Sequence, residues 1–260
     1  MLSAKKIEIS KKSIKKAIRK KELNGDSIDA NIKSILKVKY KLALNPKKVN
    51  PDNLNLKLKR PKYNVLIEKL YQNAISITKN DLLPIRIIDT ATFASITIDG
   101  NAEMANEYLS KYAFFTHYNN DFSPLKMYEV LASYKLVVVN IMSDNMLSNE
   151  HLKVLQQLEK KTNVVLCFYS RTPEYSSNFK TIVEANENNE YTQRLVPQFI
   201  FGAISNEDDT LNRLAYSLPE TVGIDSKALI NVDKIAEEAI ASGAAPGCQI
   251  LIAKDGKVIF

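Results

Sequence analysis

Several residue types are scarce in this 260-residue chain, and their scarcity excludes whole classes of protein. There is no Trp, and there are only 7 Gly and 9 Pro, which excludes collagen-like and low-complexity chains. Glycine is too scarce for a G-x-G-x-x-G pattern, and G-x-S-x-G, P-loop and H-E-x-x-H patterns are also missing. No apolar run approaches the ~18 residues of a membrane span, and residues 1–21 lack the apolar core of a secretory signal.

Cysteine and histidine are too few and too scattered to suggest a metal or redox site. Cys167 and Cys248 each lie in an apolar, β-prone run without a C-x-x-C partner, so both are expected to be buried free thiols. His117 lies in a strand-like run and His151 on an amphipathic helix, and structural roles are expected for both. Since no cluster has the spacing of metal ligands, we predict no metal site and no cofactor.

Basic residues are concentrated at the N-terminal end of the chain. Lys and Arg exceed Asp and Glu by 14 in residues 1–63, whereas the acidic residues lead by 7 in residues 64–260. A basic arm on an acidic body is one pattern of nucleic-acid-binding proteins, and a Lys-rich helical face in solvent is the alternative. No aromatic residue is interleaved between Lys5 and Lys37 for base stacking, so we favour the solvated face and expect no nucleic-acid partner.

Residues 1–44 are predicted to form two amphipathic helices. The first ends at Asn24-Gly25, and Asp26-Ser27 offers a cap to the second. Their apolar residues recur at helical spacing, which predicts exposed stripes if nothing covers them. The stripe residues are Ile14, Ile18, Ile28, Ile32 and Ile35.

A different pattern begins further along the chain. Residues 45–61 hold three prolines and predict an extended linker, and a third helix follows Pro61. From residue 75 strands and helices alternate, and the runs at 136–139 and 164–167 are continuously apolar, as in strands buried on both faces. The predicted fold class is therefore α/β, a mostly parallel sheet sandwiched by helices, with flanking helical and hairpin fragments of neighbouring domains. The predicted strands are 74–78, 93–98, 113–118, 135–142, 163–169 and 180–185, and the predicted helices are 103–110, 124–133, 149–160 and 189–201.

Polar residues follow several of these predicted strands. In an open α/β sheet, ligands bind outside the carboxyl ends of the strands, although capping alone also places polar residues there. The candidates are Asp99-Gly100-Asn101, Ser143-Asp144-Asn145, Ser170-Arg171-Thr172 and Glu187.

The C-terminal segment predicts a helix followed by an unfinished hairpin. Asp225-Ser226 caps the helix, Gly243 ends it, and Asp255-Gly256 is a strong hairpin turn. A helix and half a hairpin cannot bury a core of their own, so we interpret residues 217–260 as the opening of a separate domain. We therefore expect the chain to be a piece of a longer protein.

Three segments resemble the family 3 glycoside hydrolases, the β-glucosidases and β-N-acetylhexosaminidases. Residues 74–84, AISITKNDLLP, look like the "AI-LLKN-GLLPL" pattern that opens the C-terminal α/β sandwich of that family. Residues 28–44, IDANIKSILKVKYKLAL, resemble the segment that closes its barrel domain, and Phe201-Gly202 resembles the "LFG" near the end of the sandwich. The similarity covers residues 10–205.

The resemblance implies a retaining glycosidase whose chemistry lies mostly outside this chain. The family's nucleophilic Asp belongs to the barrel, upstream of Met1. In one subgroup a Glu of the sandwich serves as acid/base, and Glu174 and Glu187 are the nearest candidates here. We therefore assign no catalytic, cofactor-binding or metal-binding residue and expect residues 1–260 alone to be inactive on glycosides.

The C-terminal segment adds a second resemblance. PETVGIDS at 219–226 and PGCQ at 246–249 look like the opening of a serine β-lactamase-like domain, whose S-x-x-K nucleophile motif would follow Phe260. The two resemblances imply terminal barrel helices at 1–44, a linker and crossing helix at 45–74, the sandwich at 75–215 and a truncated β-lactamase-like start at 217–260. They also imply a periplasmic or exported parent protein that meets its carbohydrate substrate through the barrel.

Two other functions stay open at this point. The first is a non-catalytic accessory or interaction domain beside a carbohydrate site. The second is nucleic-acid binding by the basic N-terminal arm.

Overall fold

The computed structural model describes residues 4–43, 61–86, 88, 92–119, 123–143, 147–173, 178–206 and 213–260. Most of the predicted linker and the candidates Asp144, Asn145 and Glu174 lie outside the described residues. The chain divides into two compact units, residues 1–58 and 59–260, and each is described by itself.

The first unit contains helices α1 (Ala4–Arg19) and α2 (Gly25–Ala43). Asn24 Oδ1 accepts a hydrogen bond from the Asp26 backbone N–H at 2.9 Å, so the cap of α2 is Asn24, two residues before the predicted cap at Asp26-Ser27. Of the predicted stripe, Ile14, Ile32 and Ile35 are exposed. The prediction is wrong for Ile18 and Ile28, which are half-buried near the turn that joins the helices.

A six-stranded sheet forms the centre of the second unit, in the order β1-β6-β5-β4-β2-β3. All neighbouring strands are parallel except β1 and β6, which pair antiparallel. The strands are β1 (Ser76–Lys79), β2 (Phe93–Ile98), β3 (Phe115–Asn119), β4 (Leu136–Ile141), β5 (Asn163–Phe168) and β6 (Ile182–Glu184). The helices that precede and connect them are α3 (Pro61–Ala74), α4 (Glu103–Ser110), α5 (Pro124–Leu131), α6 (Asn149–Glu159) and α7 (Glu190–Ile200).

Helices cover both faces of this sheet. Alternate residues of each strand point to opposite sides, so each strand packs against helices on both faces. On one side Val138 and Cys167 join a buried cluster with Leu109 of α4 and Phe199 of α7. On the other side Val137, Val139 and Leu166 pack with Met127 of α5 and Leu155 of α6. The predicted α/β fold class, a mostly parallel sheet between helices, is therefore confirmed, and Cys167 is buried as predicted.

The C-terminal residues form a small second sheet, β7-β9-β8. Strand β7 (Ala215–Tyr216) pairs in parallel with β9 (Lys257–Val258), and β8 (Ala253–Lys254) pairs antiparallel with β9. The Gln198 side chain of α7 holds β7, since its Oε1 accepts from the Tyr216 N–H at 2.7 Å and its Nε2 donates to the Tyr216 carbonyl at 3.0 Å.

Helix α8 (Ser226–Ala241) lies between β7 and the hairpin in sequence, and Asp225 caps it as predicted through a 2.9 Å bond from the Lys227 N–H. The prediction of a buried Cys248 is wrong, because the Cys248 thiol is exposed. Residues 247–252 form no strand, so the apolar run that suggested burial has no strand partner over most of its length.

A buried ion pair ties α3 to α7. The Arg194 guanidinium contacts Glu68, whose side chain is 7% exposed, and the Arg194 side chain is 17% exposed. Ser217 Oγ donates a 2.8 Å hydrogen bond to the second Glu68 oxygen. Tyr71 and Tyr191 stack beside this pair with ring centroids 5.6 Å apart, and Arg194 lies 5.5 Å from the Tyr191 ring centre.

Candidate functional site

The strand order places a topological switch point between β2 and β4. The chain passes from β2 outward to β3 and then returns to β4 on the other side of β2, so the loops after β2 and β4 diverge at this position. Open α/β sheets bind ligands in the crevice that such diverging loops leave at the carboxyl edge. The candidate site therefore lies at this edge.

The turn after β2 approaches β4 closely. Asp99 adopts a left-handed conformation with φ 56°, and Gly100 follows it. A Cβ built on Gly100 would lie 2.6 Å from the Met142 Cβ, a distance that real side chains do not reach. Gly100 is therefore required by close packing between the two diverging loops.

The structure brings several of the predicted candidates together at this edge. Ser143 Oγ donates to Asp99 Oδ2 at 3.4 Å, and Ser170 Oγ donates to the Ser143 carbonyl at 2.7 Å. The Asn101 carbonyl accepts from Gln193 Nε2 at 3.0 Å, which links the β2 loop to α7. These hydrogen bonds join the loops along one edge of the sheet, and two of the three are accepted by backbone carbonyl groups.

Glu187 does not join that group. Tyr71 OH donates a 2.7 Å hydrogen bond to Glu187 Oε2, and this bond raises the pKa of Tyr71. The Glu187 side chain is exposed and lies beside α3 rather than at the switch point. Thr172 Oγ1 is buried without a hydrogen-bond partner among the described residues, and it too lies outside the edge network.

A cleft of about 900 Å³ opens beside α4 and the ends of β2 and β3, and we call it the α4 cleft. Three carboxylates line it, from Asp99, Glu103 and Glu107. Three amide side chains also line it, from Asn101, Asn106 and Asn119. The α4 cleft is therefore polar and acidic, which favours neutral or cationic polar ligands over anions.

A polar patch lies on the sheet face that α4 covers, and its residues Thr97, His117 and Asn119 line the α4 cleft. Ser95 of β2 stands opposite His117 of β3 in the strand register, and Thr97 stands opposite both Asn119 of β3 and Asn140 of β4. Ser95, Thr97 and Asn140 are buried. Thr97 Oγ1 and Asn140 Oδ1 have no hydrogen-bond partner among the described residues, and Thr97 lines the cleft. Buried polar groups are normally satisfied, so these two atoms are exceptions, and each is enclosed with almost no accessible surface of its own.

His117 is the centre of a hydrogen-bonded chain in this patch. Its Nδ1 lies 2.7 Å from Ser95 Oγ, and its Nε2 lies 2.8 Å from Ser110 Oγ at the end of α4. Ser95 Oγ donates its only proton to Asn106 Oδ1 at 2.8 Å. Ser95 can therefore only accept from His117, which places the imidazole proton on Nδ1 and leaves Nε2 to accept from Ser110.

The surroundings of His117 favour its neutral form. His117 is partly exposed, and the desolvation of its buried part lowers the pKa of the imidazole below its ordinary value of 6.5. The Phe115 ring stacks on the imidazole with centroids 5.9 Å apart and planes 3° from parallel, which holds the ring orientation. A neutral imidazole held in a fixed orientation beside an exposed hydroxyl can act as a general base, with that hydroxyl as the nucleophile.

Sequence reasoning placed His117 correctly in a strand but assigned it only a structural role. The signal that could have been used is local: Ser95 and Thr97 interrupt the apolar strand β2, and Asn140 interrupts the apolar strand β4. These residues meet His117 only because β2 lies between β3 and β4, and this strand order cannot be deduced from their positions in the sequence.

No metal centre is evident in the part of the chain that the structure describes, since no three His, Cys, Asp or Glu side chains there come together to hold an ion. Within the same residues, the helices are too short or too polar to cross a bilayer.

No protein-family model and no curated protein matches the chain. Solved structures do match it. A fungal multi-domain GH3 β-N-acetylglucosaminidase with a GCN5-related glucosamine N-acetyltransferase region is similar with a TM-score of 0.50 and 17% identity, over 75% of this chain and 24% of that chain.

Two further similar structures are bacterial. A glycoside hydrolase family 3 β-N-acetylglucosaminidase from Paenibacillus sp. str. FPU-7 gives a TM-score of 0.47 and 14% identity, over 73% of this chain and 40% of that chain. A β-glucosidase from Listeria innocua in complex with isofagomine gives a TM-score of 0.48 and 13% identity, over 73% of this chain and 32% of that chain. The chain thus spans less than half the length of each of these three structures. At this identity the fungal structure establishes one point, that this α/β fold occurs within a family 3 glycosidase.

Proposed function

We propose that residues 75–215 are the α/β sandwich domain of a family 3 glycoside hydrolase, and that the whole protein hydrolyses β-glycosidic bonds with retention. The observation that carries this proposal is the six-stranded sheet between two helical layers, a fold shared with the fungal family 3 enzyme. The motif order at 28–44, 74–84 and 201–202 supports the same assignment.

The role proposed for this chain is to support a catalytic domain that lies outside it. Retaining hydrolysis uses two carboxyl groups about 5–5.5 Å apart, one as nucleophile and one as acid/base. The nucleophile belongs to the barrel in this proposal. Glu187 is a weak acid/base candidate, because its carboxylate is already bound to Tyr71. The sandwich then braces the barrel and forms one wall of the sugar site.

The substrate class proposed for the parent protein is a β-glucoside or a β-N-acetylhexosaminide. Both kinds of enzyme occur among the similar structures, as a β-glucosidase and as β-N-acetylglucosaminidases.

We propose further that residues 217–260 open a serine β-lactamase-like domain. The support is the sequence pattern at 219–226 and 246–249, together with a capped helix and a hairpin turn in the expected order. The domain division at 1–44, 45–74, 75–215 and 217–260 remains part of this proposal.

An activity assay on residues 1–260 tests the support role. The chromogenic substrates are 4-nitrophenyl β-glucoside and 4-nitrophenyl N-acetyl-β-glucosaminide, and we expect no saturable turnover of either. Turnover that is lost in Glu187→Gln but kept in Glu184→Gln would overturn the proposal, since a described carboxylate would then carry the chemistry. Glu184 is a matched control because it also accepts a hydroxyl hydrogen bond, from Thr78 at 3.1 Å.

The flanking reading frame separates this proposal from the accessory-domain alternative. An upstream barrel with a nucleophilic Asp supports the glycosidase, whereas a reading frame that starts at Met1 supports a free-standing accessory module.

A further inference from the structure

We propose that Ser110 and His117 form a nucleophile and general-base pair that transfers the acyl group of small, neutral polar esters in the α4 cleft. This activity is separate from glycoside hydrolysis, and it needs no residue outside the described part of the second unit.

The geometry of the pair is the first support. Ser110 is exposed, and its Oγ lies 2.8 Å from His117 Nε2, within the reach that proton transfer requires. Ser95 holds the opposite ring nitrogen at 2.7 Å and is itself held by Asn106 at 2.8 Å. This chain gives Ser110 a base, an orienting group for that base and a fixed tautomer, which is the arrangement of an activated serine.

The cleft around the pair is the second support. Ser110 and His117 both line the α4 cleft, so the nucleophile faces about 900 Å³ of accessible space. The amide side chains of Asn101, Asn106 and Asn119 line the same cleft and offer hydrogen bonds to a polar ester.

The charge of the cleft selects the ester class. The carboxylates of Asp99, Glu103 and Glu107 line the cleft, and the Lys111 ammonium pairs with Glu107 at 2.9 Å. The remaining negative charge disfavours esters that carry a carboxylate or phosphate. Esters of neutral polyhydroxy alcohols can instead form hydrogen bonds with the amide and hydroxyl side chains that line the cleft.

The reaction balances with water as the only co-reactant. Ser110 Oγ attacks the ester carbonyl carbon as its proton passes to His117 Nε2, and the carbonyl electron pair moves onto oxygen. Collapse breaks the bond to the alcohol oxygen, which takes the proton from His117 and leaves acyl-Ser110. Water then attacks the acyl carbon with its proton going to His117, and the second collapse returns that proton to Ser110 Oγ and releases the acid. The Asn119 amide lines the cleft and is the group assigned to stabilise the oxyanion.

Covalent labelling of the full 260-residue chain tests the proposal directly. A fluorophosphonate probe reacts with activated serines and loses fluoride, so peptide mass spectrometry locates the adduct. We expect the adduct on Ser110, and we expect its rate of formation to fall about 10²–10⁴-fold in His117→Gln, the range that general-base catalysis contributes. The matched control is Ser133→Ala, another exposed serine near the end of a helix, which should label like the parent chain.

Hydrolysis of 4-nitrophenyl acetate gives the second readout. Ser110→Ala should abolish the saturable rate. Ser95→Ala, which changes a positioning residue, should lower kcat with KM unchanged. Because the reaction needs neutral His117 and burial lowers its pKa, the rate should persist below pH 6.5 and fall only as the pH drops through that lowered pKa. The proposal is overturned if Ser110 carries no adduct in chain shown to be folded by circular dichroism, or if His117→Gln labels as fast as the parent.

Discussion

Removal of the charge on Arg194 gives the sharpest test of how the second unit is held together. Arg194→Met keeps much of the apolar stem of the side chain but removes the guanidinium that contacts Glu68. Glu68 is 7% exposed and would keep only the 2.8 Å hydrogen bond from Ser217 as a described partner. Breaking a buried pair by removing one partner costs about 3–5 kcal/mol, because the other charge stays buried without compensation.

The assay is thermal and urea unfolding followed by far-UV circular dichroism, since the chain has no Trp to report by fluorescence. For a unit of this size, 1 kcal/mol shifts Tm by about 2–4 °C, so Arg194→Met should lower Tm by roughly 6–20 °C. The matched control is Lys234→Met, which breaks an exposed i,i+4 pair with Glu238 whose side chains are 73% and 69% exposed. That change should cost less than about 0.5 kcal/mol.

A double variant identifies the cause of the loss. Glu68→Gln combined with Arg194→Met removes the uncompensated charge, while the Gln carbonyl can still accept from Ser217. It should recover a substantial part of the stability lost in the single variant. If Arg194→Met destabilises no more than Lys234→Met, the reasoning about a buried, uncompensated Glu68 is refuted.

Three further predictions concern packing, thiol exposure and charge. Gly100→Ala should destabilise the second unit by about 1–3 kcal/mol in urea unfolding, because its Cβ meets a neighbour at 2.6 Å, whereas Gly247→Ala has open space and should change little. Iodoacetamide should label Cys248 in the folded protein and Cys167 only after denaturation, since burial also raises the pKa of the Cys167 thiol; equal labelling would contradict the structure. A salt titration of DNA binding should show no steep loss of affinity that depends on the lysines of residues 11–21, and a steep slope tied to them would restore the nucleic-acid alternative.

Predictions from local patterns were correct where buried residues follow one another within a single segment. The apolar runs around Val138 and Val165 indicated strands covered on both faces, and both strands lie in the middle of the sheet. The Asp225 cap was likewise readable, because a cap involves neighbours in sequence. Cys248 was predicted wrongly because an apolar run indicates burial only if another segment covers it.

The candidate site could be predicted only in part. Asp99, Asn101 and Ser143 follow strands, and the fold brings them to one edge. The α4 cleft depends instead on Ser95 and His117, which are 22 positions apart in sequence and meet through strand pairing.

By itself, the sequence determined the alternation of strands and helices, the Asp225 cap and the burial of the central strands, because these depend on contacts within a few residues. Only the tertiary structure decided the strand order, the antiparallel pairing of β1 and the parallel pairing of β7 with β9. It also decided the Glu68–Arg194 pair, which joins side chains 126 positions apart. Such contacts arise from how whole elements pack, and the order of residues within any one element does not record its distant neighbours.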